Sequence, residues 1–81
     1  MLDTYRMITF PVYRKLSGFD RFYKITDDRH FTEAFRVQGT LKYQHIEAVQ
    51  FPEVLRINDM IACQFNYVEM SPEEIQENFP D

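Results

Sequence analysis

Short runs in which apolar and polar residues alternate dominate the first half of the chain, and this two-residue period constrains the fold more than any other feature. Successive side chains of a β-strand point to opposite faces, so each run can form a strand with one apolar face. Turn residues, including Gly18 and Gly39, stand between the runs. The predicted strands are 5–16, 21–26 and 31–38. Tight turns between neighbouring strands predict antiparallel pairing.

The apolar pattern changes face within residues 40–51. Leu41 and Tyr43 share one side of an extended chain, whereas Ile46 falls on the other side. Because a one-residue slip turns every later side chain over, this pattern predicts a β-bulge near His45.

The stretch 52–60 suits two structures. Pro52 would fit the first position of a helical turn, but the alternation of Leu55 with Ile57 would also suit a strand. A helical turn would place three aliphatic side chains on one side, namely Val54, Ile57 and Ile61. The helical interpretation is preferred.

Residues 61–70 again alternate and are predicted to form a strand. Cys63 would then lie on the buried face between Ile61 and Phe65, where a thiol in apolar surroundings is unreactive. Pro11 lacks the N–H that a central strand needs, which predicts that the first strand lies at an edge or carries a bulge.

The end of the chain carries a helix-start signal. Ser71 suits the N-cap, Pro72 the first helical position, and Glu74 the third position of a capping box. Because a helix of about two turns is marginal in water, it must dock through Ile75 and Phe79.

Together these elements predict a single domain over residues 1–81 of the α+β class, mainly β. Four to five short antiparallel strands are expected to form a curled sheet or a partly open barrel, followed by a short C-terminal helix.

Aromatic residues are numerous for so small a domain. The chain has 81 residues, of which eight are Phe and five are Tyr. A domain of this size buries only about 60% of the surface of its unfolded chain. We therefore expect some of the rings to lie at the surface, where they would contact another molecule.

Charge is distributed unevenly along the chain. Residues 1–45 hold eight Lys/Arg and five acids, whereas residues 46–81 hold eight acids and Arg56 as their only cation, giving +3 and −7 and a total of −4. The halves either face and neutralise each other, which is preferred, or leave a basic surface that could meet phosphate groups. The single cysteine, Cys63, excludes an intramolecular disulfide and favours a cytoplasmic location, and no apolar run is long enough for a membrane span.

The candidate binding residues lie on the second predicted strand and beside it. Bases stack on aromatic rings and phosphates bind to Lys and Arg, so a single-stranded nucleic acid would recognise such a set. The residues are Arg21, Phe22, Tyr23, Lys24 and Tyr43. The alternative is that the aromatic members belong to the core and the cations to a solvated strand face.

A catalytic hypothesis rests on the histidines. His30 or His45 would act as a base with a nearby carboxylate, the candidates being Asp27, Asp28 and Asp59. No spacing matches a known metal motif or phosphate loop, so we expect no metal, cofactor or catalytic residue.

The leading hypothesis is therefore a small cytoplasmic binding module without catalytic activity, which contacts a protein partner or a second copy of itself as a homodimer. The alternative is a single-stranded nucleic-acid binding module that uses the aromatic and basic strand face. No membrane contact is expected.

Overall fold

A computed structural model gives the structure of residues 8–80. These residues form five strands and two helices. The elements are β1 Val12–Leu16, β2 Arg21–Ile25, β3 His30–Val37, β4 Thr40–Glu47, α1 Phe51–Ile61, β5 Tyr67–Glu69 and α2 Pro72–Asn78. The strands build one antiparallel sheet in the order β4-β3-β2-β1-β5. The predicted α+β class is confirmed, with an open sheet rather than a barrel and a short C-terminal helix.

The two helices cover opposite faces of the sheet, which we name the α1 face and the α2 face. The core of the α1 face consists of Val12, Tyr23, Ile25, Phe31, Ala48, Ile57, Met60 and Ile61. The smaller core of the α2 face is built on Ala34, Met70 and Phe79, packed by Tyr13, Phe22, Leu41 and Ile75. A sheet covered on both sides needs apolar residues on both faces of its strands. An alternating pattern assigns only one face to the core, and it therefore predicts fewer core residues than this sheet has.

The predicted bulge near His45 is wrong. Pairing between β3 and β4 runs without interruption from His30 opposite Glu47 to Val37 opposite Thr40. The apolar pattern changes face because Leu41 packs in the α2 core whereas Ile46 packs against the α1 core.

The first strand is neither an edge strand nor bulged within Val12–Leu16, contrary to prediction. β1 pairs with β2 on one side and with β5 on the other. Pro11 causes no break in the ladder because it precedes Val12, the first paired residue. The predicted strand portion 5–7 lies outside the described residues.

The helical interpretation of residues 52–60 is confirmed, but the strand predicted over 61–70 is wrong for most of its length. α1 continues to Ile61, and only Tyr67–Glu69 is extended. Between them Cys63, Phe65 and Asn66 have φ of 56°, 53° and 72°, in the left-handed region. Cys63 is consequently exposed rather than buried.

Arg14 caps the C-terminal end of α1. From β1, its Nε donates to the Met60 carbonyl at 3.0 Å and its Nη2 to the Ile61 carbonyl at 3.1 Å. These are carbonyls of the last helical turn, which has no basic residue of its own. A cation at this position satisfies both acceptors and favours the negative end of the helix dipole.

The C-terminal helix follows the sequence prediction. The Ser71 hydroxyl accepts from the Glu74 N–H at 3.1 Å, and the Glu74 carboxylate accepts from the Ser71 N–H at 2.9 Å. Lys15 pairs with the same carboxylate. That ion pair, with the hydrogen bond from Ser71, lowers the pKa of Glu74. Phe79 docks the helix on the sheet, as predicted.

Candidate interaction surface

The predicted binding residues on β2 do not form one surface. Consecutive residues of a strand point to opposite faces, so Arg21 and Tyr23 lie on the α1 face whereas Phe22 and Lys24 lie on the α2 face. Tyr23 is only 2% exposed and belongs to the core. Phe22 packs against the α2 core. The ring of Tyr23 therefore offers no stacking surface for a base.

Tyr23 instead belongs to a polar network under α1. Its hydroxyl donates to the Glu33 carboxylate and accepts from Arg56 Nη2, both at 3.2 Å. Arg56 Nε also donates to the Tyr67 hydroxyl at 3.3 Å, and its guanidinium lies 5.3 Å from the ring centres of Tyr23 and Phe31. Burial, with the neighbouring Glu33 charge, raises the pKa of the Tyr23 hydroxyl. This network is structural, since it joins the helix to the sheet.

An aromatic and basic row does exist beside this network on the α1 face. The Arg21 guanidinium lies 5.1 Å from the centre of the Phe35 ring and 3.6 Å from the Glu33 carboxylate. Lys42 lies opposite Phe35 in the next strand. Phe35 is not among the predicted binding residues, because it lies far from Arg21 in sequence and joins it only through strand pairing.

Lys24 and Tyr43 are brought together on the α2 face. They line a groove of about 410 Å³ beside the C-terminal segment. The other lining residues are Thr32, His45, Phe79 and Pro80. The Tyr43 hydroxyl donates to the carbonyl of Asn78, the last residue of α2, at 2.6 Å. This hydrogen bond links β4 to the end of the helix.

The two histidines have different partners. His45 Nδ1 lies 2.7 Å from the Thr32 hydroxyl. His30 Nδ1 lies 2.8 Å from Asp27 Oδ1, which also accepts from the Arg29 N–H. The hydrogen bond to Asp27 raises the pKa of His30, and the same bond lowers the pKa of Asp27. His30 and Asp27 thus form the base-and-carboxylate pair of the catalytic hypothesis.

That pair lies on an exposed turn, and the hypothesis stays a prediction. Asp28 is exposed on the same turn. Asp59 lies on α1, so the sheet separates it from His45 on the α2 face. Within residues 8–80, no three His, Cys, Asp or Glu side chains come together as a group that could hold a metal ion.

Among residues 8–80, the longest main-chain edge of the sheet belongs to β4, which ends the sheet order. The Ala48 N–H donates inward to the Arg29 carbonyl at 2.6 Å. Inward and outward groups alternate along an antiparallel strand. The residues whose N–H and C=O point away from the sheet are therefore Leu41, Tyr43, His45 and Glu47. We name this row the β4 edge.

Exposed rings lie both beside the β4 edge and away from it. Tyr43 is 44% exposed, whereas Phe19 and Phe65 are 64% and 74% exposed. Phe51 is a fourth exposed ring, on α1. Phe19 and Phe65 share one end of the sheet, because the Ser17 N–H donates to the Asn66 carbonyl at 2.8 Å between their two turns.

No helix within residues 8–80 has the length and apolar character needed to cross a membrane. Comparison with known proteins gave no match to a family model, to a curated protein or to a solved structure.

Proposed function

We propose that this chain is a protein-interaction module that acts by strand addition, with the β4 edge pairing to an extended segment of another polypeptide. The observation that carries the proposal is the eight-residue strand Thr40–Glu47 at the end of the sheet, with four residues turned outward. Unpaired N–H and C=O groups on such an edge form a template for another strand.

The contrast between the two edges supports this assignment. The opposite edge, β5, has only three residues, Tyr67–Glu69. Very short edge strands are one way in which proteins avoid pairing with other chains. β4 lacks that protection, and its pairing to β3 contains no bulge that would twist it away. The exposed Tyr43 ring beside it adds apolar contact area for a bound segment.

A pair of variants at Glu47 tests strand addition directly. Glu47→Pro removes an outward N–H, whereas the inward N–H groups that pair with β3 remain. Glu47→Ala keeps the outward N–H and is the matched control, because both variants lose the same carboxylate. Peptides selected from a random phage-displayed library against the natural chain serve as probes, and NMR amide shifts locate where they bind.

Strand addition predicts that the selected peptides shift the amides of Leu41, Tyr43 and His45 and slow their hydrogen exchange. It also predicts that they bind Glu47→Ala at least about fivefold more tightly than Glu47→Pro, since one main-chain hydrogen bond contributes about 1 kcal/mol. Peptides that bind both variants equally, or that shift another surface, would contradict the proposal. The cytoplasmic location expected from the single cysteine is part of the same proposal.

Single-stranded nucleic-acid binding is the second candidate, and the row Arg21, Phe35 and Lys42 favours it. The row has a half-buried ring and two cations on one face. Fluorescence anisotropy with a labelled oligothymidylate at low salt tests this function, and Lys42→Ala should weaken any binding. Affinity that does not fall with added salt would contradict it, because phosphate contacts release counterions.

A further inference from the structure

We infer that a second copy of this chain supplies the strand that pairs with the β4 edge, in an antiparallel dimer whose two-fold axis passes through Gln44. This inference rests on the proposed function and names its partner. The two five-stranded sheets would join into one continuous sheet across the axis.

The number of main-chain hydrogen bonds that the outward residues can form favours this register. Antiparallel pairing about Gln44 places Leu41 opposite the second copy's Glu47, and Tyr43 opposite the second copy's His45. All four outward residues of each copy then pair with outward residues of the other. At two hydrogen bonds for each of four pairs, the seam has about eight bonds. If the axis moves by one residue, outward residues still lie opposite outward residues. One outward residue of each copy then has no partner in the other copy's β4, so about two hydrogen bonds are lost.

The side chains of β4 suit the same register. The charged residues of the strand are Lys42 and Glu47. Lys42 would lie opposite the second copy's Ile46, so no like charges meet directly across the seam. At the axis, Gln44 lies opposite itself, and its amide can both donate and accept. The exposed Tyr43 ring would gain a cross-strand contact with the second copy's His45.

Charge complementarity appears on the α2 face. Arg36 lies opposite Leu41 in the β3–β4 pairing, so the second copy's Glu47 would occupy the next position in that row. Two strand spacings separate Arg36 from that position by about 10 Å between Cα atoms. An arginine and a glutamate side chain together reach across this distance. Arg36 Nη1 also contacts Asp20 and Asn78, both at 3.3 Å.

Disulfide trapping tests both the dimer and its register. In a Cys63→Ser background, Gln44→Cys places two thiols at a non-hydrogen-bonded pair, where Cα atoms lie about 4.5 Å apart. That separation lies within the range of disulfides, about 4.4–6.8 Å. Lys42→Cys is the matched control on the same face of the same strand. Its two copies would lie four residues apart, about 14 Å along the strands, which a disulfide does not span.

We expect Gln44→Cys to form a covalent dimer quickly under mild oxidation and Lys42→Cys to form no covalent dimer over the same time. Light scattering from micromolar to millimolar concentration should show reversible doubling of the mass for the natural chain and Glu47→Ala. Glu47→Pro should raise the dissociation constant at least about tenfold relative to Glu47→Ala, because each copy loses one outward N–H. Amide NMR spectra establish that each variant is folded.

Three results would overturn the inference: a strictly monomeric chain at millimolar concentration, equal trapping of the two cysteine variants, or a dimer that Glu47→Pro leaves as strong as Glu47→Ala does. The peptide experiment separates the two proposals. If peptides still bind at Leu41, Tyr43 and His45 while the chain stays monomeric, strand addition stands and the second copy is rejected.

Discussion

Replacing Arg56 by Met should destabilise the fold markedly although the residue lies on no predicted site. Arg56 reaches from α1 to the hydroxyls of Tyr23 and Tyr67 and lies over the rings of Tyr23 and Phe31. Methionine keeps an unbranched apolar stem of similar length, so the substitution removes mainly the guanidinium and its contacts.

The magnitude follows from those contacts. Hydrogen bonds to a charged group contribute about 1.5–3 kcal/mol each when well formed, but these two are long, at 3.2 and 3.3 Å, and Arg56 is half-buried. We therefore assign about 1 kcal/mol to each bond. The two cation–π contacts add about 0.5 kcal/mol each, the value for partly exposed sites. The expected loss is about 3 kcal/mol, a large share of the stability of a small domain.

Urea unfolding followed by circular dichroism measures this loss. Arg29→Met is the matched control, because Arg29 is exposed on the turn before β3 and the same substitution there should change the free energy of unfolding by less than about 0.5 kcal/mol. A double-mutant cycle with Tyr67→Phe should give a coupling energy of about 0.5–1 kcal/mol.

A loss for Arg56→Met no larger than that for Arg29→Met would refute the reasoning. So would a zero coupling energy with Tyr67→Phe, because the hydrogen bond from Arg56 Nε to that hydroxyl would then contribute nothing to stability.

Three further predictions concern local features. Ser71→Ala should lower the free energy of unfolding by about 1 kcal/mol through loss of the N-cap, whereas Glu73→Ala, at an exposed position in the first turn of the same helix, should cost less in the same urea titration. Because the pKa of His30 is raised, its contribution to stability is present below the ordinary histidine pKa and is lost as pH rises through the raised value. NMR titration of the His30 ring should show its pKa returning to the ordinary value in Asp27→Asn. An unchanged pKa in that variant would contradict the pairing of His30 with Asp27. Cys63 should react with a thiol reagent in the native state as fast as in urea, and protection in the native state would contradict its exposure.

Elements with a strong local signal were predicted correctly. The β2 and β3 strands follow from alternation bounded by turns, and Gly39 marks the turn between β3 and β4 with φ of 83°. The helix at Ser71 follows from hydrogen bonds between neighbours in sequence. Such signals are readable because the interacting groups lie only a few residues apart.

The candidate site was much harder to predict. The run Arg21–Lys24 looked like one aromatic and basic set, but alternation divides it between two faces, and only Lys24 and Tyr43 share a groove. The sequence could not show which face of β2 is buried, because both faces are covered. α1 covers the face that carries Tyr23, and α2 covers the face that carries Phe22. The β4 edge also left no sequence signature, since an edge is defined by which strand has no neighbour.

The amino-acid sequence by itself determined where strands alternate, where the chain turns and where the last helix begins, because each of these depends on backbone preferences and contacts between near neighbours. The tertiary structure decided the rest. It placed β1 inside the sheet, capped the end of α1 with the Arg14 side chain, exposed Cys63 and left β4 at the edge of the sheet. These outcomes depend on contacts between segments that lie far apart in the chain. The free energy of such contacts cannot be read from a local sequence pattern.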